Sequence, residues 1–183
     1  MAARPEHLLT AEQFLEIDFP PDVKAELDNG VIRMMGGTRA HARVQMNLYA
    51  FLRVALRGSG CRPFGSDMAV RTHNGSVRYP DVSIERSGEP GGDDDRLLDE
   101  PRVVFEILSP STRRADRGPK LDEYRAIESI DTIVLIDPAT EWLRVLRRIG
   151  PGAWQDREHR EPFGLDLPAP GVTVPHLEIF ARD

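Results

Sequence analysis

The sequence predicts an α/β or α+β fold in which one mixed β-sheet is flanked by helices. Apolar residues recur at helical spacing over 40–57, and two Asn-Gly pairs each separate strand-like runs. Two further runs, 102–108 and 131–137, are apolar enough to be strands buried on both faces. The 183 residues can build one core, and no linker composition divides them. We therefore expect a single domain over 1–183.

The first part of the chain predicts a short helix, a hairpin and a long helix. The pattern T-A-E-Q at 10–13 is a capping box that opens the short helix. Asn-Gly at 29–30 predicts a tight hairpin. The apolar residues of 40–57 form one helical face, and the glycines that follow end the long helix.

The rest of the chain predicts mostly strands. In order, we expect a hairpin around Asn74-Gly75, a loop over 87–101, the strand 102–108, a helix from Pro119 to about Glu128, strands at 131–137 and 141–149, and a strand near Trp154. The proline-rich C-terminal tail is expected to add at most a short strand or turn.

Composition limits the class of protein. Hydrophobic content is 40% and charged content 30%, as in ordinary soluble proteins. No apolar run approaches the roughly 20 residues that span a bilayer, and no signal sequence is evident, so we expect a cytoplasmic protein without membrane contact. Cys61 alone excludes a disulfide framework and a cysteine zinc site. The net charge of −6 argues against nucleic-acid binding by bulk charge, but acidic residues segregated elsewhere would leave room for a basic cleft.

Glu106 is the most informative residue of the sequence because it lies inside a buried-type strand. Alternation puts its side chain on the same face as Val104 and Leu108. An isolated buried carboxylate costs several kcal/mol, so Glu106 must be paired, protonated or bound to a metal.

Asp81 is the candidate partner. Pro80 cannot donate to a strand ladder, so it marks an edge or a break in pairing just before Asp81. We expect Asp81 and Glu106 on neighbouring strands, where both could bind one hard cation through oxygen. Lys120 and Tyr124 share a face of the following helix.

A lysine beside two metal-bound carboxylates can orient an attacking water and offset charge on a phosphorane, which is the chemistry of metal-assisted phosphodiester hydrolysis. The alternative is a structural ion pair of Glu106 with an arginine or with Lys120, in which Asp81 only caps a turn.

These residues resemble a bacterial family of restriction endonuclease-like proteins within the PD-(D/E)xK nuclease superfamily. The resemblance spans roughly 25–148. It rests on Pro80-Asp81, Glu106 in a hydrophobic strand followed by Ser-Pro-Ser-Thr, then Lys120, Tyr124 and "VLIDP", together with Glu26, Gly30 and His41.

The resemblance implies a restriction-endonuclease-like core with Asp81 and Glu106 as ligands of Mg²⁺ or Mn²⁺. The backbone carbonyl of Ile107 would be a third ligand. Leu108 stands where the superfamily pattern has lysine, and Lys120 from the next helix would substitute for it. Glu26 would be an extra ligand or a water-positioning group; otherwise it is an exposed hairpin residue.

Other residues are candidates for substrate or phosphate contacts: His41, Arg113, Arg114 and Tyr124. The resulting prediction is a metal-dependent DNA endonuclease, and by analogy a homodimer whose two sites would cut two strands. The alternative is a catalytically silent nuclease-fold protein that acts as a homodimeric binding module.

Overall fold

A computed structural model describes residues 8–86, 92, 94–109 and 118–182. Four helices occur in this part of the chain: α1 (Ala11–Leu15), α2 (Arg39–Ala55), α3 (Pro119–Arg125) and α4 (His176–Phe180). The strands there are β1 (Ala25–Asp28), β2 (Val31–Met34), β3 (Cys61–Gly65), β4 (Val70–Arg71), β5 (Val77–Arg78), β6 (Val82–Arg86), β7 (Pro101–Ile107), β8 (Thr132–Asp137), β9 (Trp142–Gly150), β10 (Ala153–His159), β11 (Gly164–Leu167) and β12 (Val172–Pro175). None of the helices in these ranges is long and apolar enough to cross a membrane.

The main sheet is mixed, as predicted. Its six strands run in the order β10-β9-β8-β7-β6-β3, with β7 and β8 parallel and the other neighbours antiparallel. Strands β7 and β8 lie in the middle and are covered on both faces, which explains their nearly continuous apolar sequences.

Helices cover the two faces of this sheet. Alternation along β7 sends Phe105 and Ile107 into a core cluster with α2, and Val104 and Leu108 into a cluster with α3. Glu106 shares the α3 side of the strand with Val104 and Leu108. The candidate carboxylate therefore faces the helix that carries Lys120.

A second, antiparallel sheet has the order β2-β1-β5-β4. Its β1–β2 hairpin turns at Asn29 and Gly30, with φ of 48° and 79°, the left-handed pair that a type I′ turn requires. The expectation of one sheet was therefore incomplete. The run that follows Gly75 divides at Pro80, so that β5 joins the second sheet and β6 joins the main sheet, and Asp81 lies at the junction.

The expectation for the tail was wrong. Strands β11 and β12 form a hairpin, and α4 packs on α2, so that Leu165, Val174 and Ile179 join the core cluster on that side of the sheet. The prolines do not interrupt these elements, because two lie in the turn 168–171 and Pro175 immediately precedes α4. Strand β3 was also not predicted; its Pro63 is tolerated because β3 is an edge strand.

Candidate active site

The main sheet brings Asp81 and Glu106 together. Val82 pairs with Phe105 in the antiparallel β6–β7 ladder, so the preceding residue, Asp81, lies across from Glu106. The Ile107 amide donates a 2.6 Å hydrogen bond to Asp81 Oδ2, which fixes the Asp81 carboxylate at the end of β7. Both acids line an open cleft of about 290 Å³.

Asp81 is held from the helix side as well. His41 Nε2 lies 3.0 Å from Asp81 Oδ1, and the Gln45 side-chain amide donates to the Asp81 backbone carbonyl at 2.8 Å. The Thr38 hydroxyl caps α2 by accepting from the His41 amide, so the first turn of α2 is fixed against the acid. Asp81 therefore does more than cap a turn: it joins β6, β7 and α2 at the wall of the cleft.

Glu106 is buried and is contacted by α3. The Tyr124 hydroxyl donates to Glu106 Oε1 at 2.6 Å, and Lys120 Nζ lies 3.3 Å from the same oxygen. All three side chains are almost completely buried. Burial and the neighbouring Glu106 charge raise the pKa of Tyr124 well above its usual value, so its hydroxyl stays protonated and donates.

Lys120 is shared between two carboxylates. Its Nζ also lies 2.9 Å from Glu26 Oε1, which in addition accepts the Tyr79 amide at 3.1 Å. Glu26 is 3% exposed, so the alternative of an exposed hairpin residue is wrong. Glu26 is not among the residues that line the cleft, and neither is its partner Lys120.

Sequence reasoning missed Arg78 and Glu123, which complete this buried network. Arg78 forms two hydrogen bonds to Glu123, at 2.6 and 2.8 Å, and further contacts with Glu26 at 3.4 Å and Asp28 at 2.9 Å. Burial alone would lower the pKa of Arg78, but the bonds to Glu123 and the charge of Glu26 outweigh it and raise the pKa. Glu123 follows Lys120 by three residues, on the same buried helical face, and that spacing was the available signal.

The described part of this network carries more buried negative than positive charge. Four acids, Glu26, Asp81, Glu106 and Glu123, are each at most 5% exposed, and the buried cations beside them are Arg78 and Lys120.

The donor set also fits a hard cation. Asp81 and Glu106 offer the oxygen ligands that Mg²⁺ and Mn²⁺ prefer. Within the described ranges no group of three or more His, Cys, Asp or Glu side chains could hold a metal. A cation between Asp81 and Glu106 would therefore take its remaining ligands from backbone, water or substrate, as Mg²⁺ commonly does.

Two further expectations change. Tyr124 was a candidate phosphate contact, but it is fully buried and its hydroxyl donates a hydrogen bond to Glu106 instead. Leu108, in the place of the superfamily lysine, packs in the apolar α3 cluster, while Lys120 reaches Glu106 from α3. His41 does line the cleft. Arg113 and Arg114 lie outside the described residues.

The Tyr124–Glu106 bond yields a prediction. We expect Tyr124→Phe to lower the free energy of unfolding by about 1.5–3 kcal/mol, because it removes a buried hydrogen bond to a charged group. Urea denaturation measures the change. Tyr49→Phe is the control, since Tyr49 is half-buried and its hydroxyl makes no hydrogen bond with the described residues. Equal effects of the two substitutions would show that the Glu106 bond contributes nothing.

Comparison with known proteins identifies relatives of this chain and a solved structure with the same fold. Two uncharacterized proteins of Synechocystis sp., sll1609 and slr1290, are 26% and 25% identical over 150 and 167 residues. The alignments cover 80% and 90% of this chain and 85% and 87% of theirs. The crystal structure of a putative nuclease belonging to DUF820 from Anabaena variabilis matches with a TM-score of 0.76 at 17% identity, over 94% of this chain and 98% of that one, and so shows a shared fold.

A family model settles the relationship. The model of the Uma2 family, described as "Putative restriction endonuclease", matches residues 11–176, which is most of the chain. That range contains the main sheet, α2, α3 and both cleft acids. The chain therefore belongs to the Uma2 family of restriction endonuclease-like proteins and has the mixed, helix-flanked sheet predicted from its sequence.

Proposed function

We propose that this protein is a nuclease that hydrolyses phosphodiester bonds of DNA with a divalent cation held by Asp81 and Glu106. The observation that carries the proposal is the position of these two acids, across from each other on adjacent strands and on the wall of one open cleft. Family membership supports the same reaction class.

The backbone of β7 supports a third ligand. In an extended strand the N–H and carbonyl of one residue point to the same side. The Ile107 amide points at Asp81, so its carbonyl is expected on that side too, and Asp81, Glu106 and the Ile107 carbonyl would hold the metal. Bound Mg²⁺ or Mn²⁺ would supply an acidified water and neutralise charge on the phosphate.

The other residues of the network act on the acids. Lys120 and Tyr124 hold Glu106 in one orientation, because both contact its Oε1 atom. Glu26 positions Lys120 through its 2.9 Å contact with Nζ. His41 orients Asp81 and, because it lines the cleft, is placed to contact a phosphate oxygen. These contacts would fix the carboxylates of Asp81 and Glu106 in the cleft wall before the substrate binds. Metal-assisted hydrolysis needs metal ligands that are preorganised in this way.

Plasmid nicking tests the proposal. Wild-type protein with Mn²⁺ or Mg²⁺ is expected to convert supercoiled plasmid to open circles, and EDTA is expected to stop the reaction. Asp81→Asn keeps the shape of the side chain but removes the charge, so we expect a rate loss of at least about 100-fold. The control is Asp67→Asn, which changes a carboxylate whose side chain is 91% exposed and is expected to leave the rate unchanged.

Two outcomes would overturn this function. Nicking that continues undiminished with Asp81→Asn would come from a contaminant or another site. A correctly folded wild-type protein that never nicks DNA under any divalent cation would favour the catalytically silent binding module.

A further inference from the structure

Charge is strongly segregated along this acidic chain. Residues 29–66 contain six arginines and no aspartate or glutamate. The net charge of −6 therefore combines +6 from this segment with −12 from all other residues. Five of the six arginines belong to α2, the turn after it and β3, which contact each other, whereas Arg33 lies on β2 of the second sheet and pairs with Asp28.

Four of these arginines share one face of α2, which we call the arginine face: Arg39, Arg43, Arg53 and, just past the end of the helix, Arg57. At 3.6 residues per turn they lie within about 80° of one another. Arg43 is half-buried and the other three are exposed. The opposite face of α2, with Val44, Leu48 and Leu52, packs into the core, so the arginine face points away from the sheet.

The arginine face is not neutralised by the described part of the protein. None of its four members forms an ion pair with a described residue, and Arg43 Nε is buried with no hydrogen-bond partner there. Several arginines elsewhere are paired instead: Arg71 with Glu12 at 2.7 Å, Arg102 with Asp131 at 3.0 Å and Arg144 with Asp156 at 2.6 Å. The face therefore presents unsatisfied donors suited to an external polyanion.

Its position links the arginine face to the candidate active site. The first turns of α2 contribute Thr38, His41, Ala42 and Gln45 to the cleft that Asp81 and Glu106 line. From Arg39 to Arg57 the face extends about 27 Å at 1.5 Å per residue. That length matches about eight base pairs of B-DNA at 3.4 Å each. At 100° per residue, His41 and Gln45 lie roughly 120–160° around α2 from the middle of the arginine face, so the face and the cleft meet at the N-terminal end of the helix, where Arg39 follows the cleft residue Thr38. A duplex lying on the arginine face would therefore reach the cleft at that end of α2.

We propose that the arginine face binds the phosphate backbone of double-stranded DNA and leads it to the cleft. This inference rests on the proposed function, since it assigns the surface on which that substrate lies. Contacts of this kind are to phosphates, so they give affinity without sequence preference and weaken as salt rises.

Salt-dependent binding tests the proposal. Fluorescence anisotropy of a labelled 24-base-pair duplex, without divalent metal and over a series of KCl concentrations, gives the slope of log K against log salt. We compare wild type with Arg39→Gln/Arg43→Gln, with Arg53→Gln/Arg57→Gln, and with the quadruple variant. Each double variant is expected to reduce the slope by about 2 and the quadruple variant by about 4.

The matched control is Arg157→Gln/Arg160→Gln. It makes the same change in net charge at two exposed arginines at and just beyond β10, the edge strand farthest from β3. It is expected to leave the slope and the affinity close to those of the wild type. Circular dichroism and thermal unfolding establish that every variant is folded before its binding is measured.

The outcomes separate this inference from the proposed function. If the α2 variants bind DNA like the control while metal-dependent nicking by the wild type persists, the arginine face is not the DNA surface but the nuclease function stands. If slopes fall as expected and the wild type never nicks, the DNA surface stands and hydrolysis does not. Tight binding of wild type, lost in the quadruple variant, to anionic phosphatidylserine vesicles with no binding to DNA would assign the face to a membrane and overturn the inference.

Discussion

Arg78→Leu is expected to lower the free energy of unfolding by about 3–5 kcal/mol. The Arg78 side chain is 3% exposed and contacts three acids, Glu26, Asp28 and Glu123, two of which are themselves buried. The leucine would take the guanidinium away from Glu123 and Glu26, two acids that are almost completely buried, and would leave Glu123 without its ion-pair partner among the described residues. Removing one partner of a buried charge network costs much more than the net contribution of the network.

Thermal and urea unfolding measure this effect, with Arg144→Leu as the control. Arg144 makes a similar pair of hydrogen bonds to Asp156, at 2.9 and 2.6 Å, but its side chain is 25% exposed and its partner is 34% exposed. We expect the control to cost about 1 kcal/mol or less, because water solvates the acid that is left. A loss for Arg78→Leu no larger than the loss for Arg144→Leu would contradict the buried network.

Lys120→Met is expected to slow DNA cleavage by about 100- to 1,000-fold. Lys120 contacts Glu106 at 3.3 Å and Glu26 at 2.9 Å and is the described lysine of the buried network. Its loss removes positive charge beside the carboxylate that would hold the metal. Since the substitution removes no metal ligand, we expect Mn²⁺ affinity to be retained or increased while the cleavage rate falls.

That separation distinguishes an electrostatic role from a purely structural one. Single-turnover plasmid nicking gives the rate, and calorimetry gives the Mn²⁺ affinity. Lys24→Met, at the other lysine of the chain, is the control: Lys24 also lines the cleft, but its side chain is 59% exposed and pairs with Asp67. If Lys120→Met cleaves DNA as fast as the control, Lys120 has no role in cleavage. If Lys120→Met loses metal binding and folded structure together with activity, the role of Lys120 is purely structural.

Local pattern predicted much of what positions the site. The alternation along β7 placed Glu106 with Val104 and Leu108, and Pro80 marked the break that puts Asp81 at the start of β6. The first inference depends only on the alternation of side chains along a strand, and the second only on the fact that proline has no backbone N–H to donate. Both can therefore be made from a few consecutive residues of the sequence. The adjacency of Asp81 and Glu106 followed from the same two facts.

The buried network could not be predicted in this way. Arg78 and Glu123 are 45 residues apart and meet only because β5 of the second sheet packs against α3. Such pairing depends on how the second sheet packs against α3. The spacing of apolar residues within one strand or helix carries no information about that packing. The tail was misjudged for a related reason: its prolines indicated an irregular segment, but they occupy turn and helix-start positions, and its apolar residues find their partners on α2.

Calorimetric titration with Mn²⁺ tests most directly whether Asp81 and Glu106 share one cation. The wild type is expected to bind one Mn²⁺ per chain, and both Asp81→Asn and Glu106→Gln are expected to weaken that binding by at least about tenfold. In the double variant the losses should not add, because the two acids serve the same ion. Binding to Asp81→Asn and Glu106→Gln that is as tight as binding to the wild type would contradict the shared metal site.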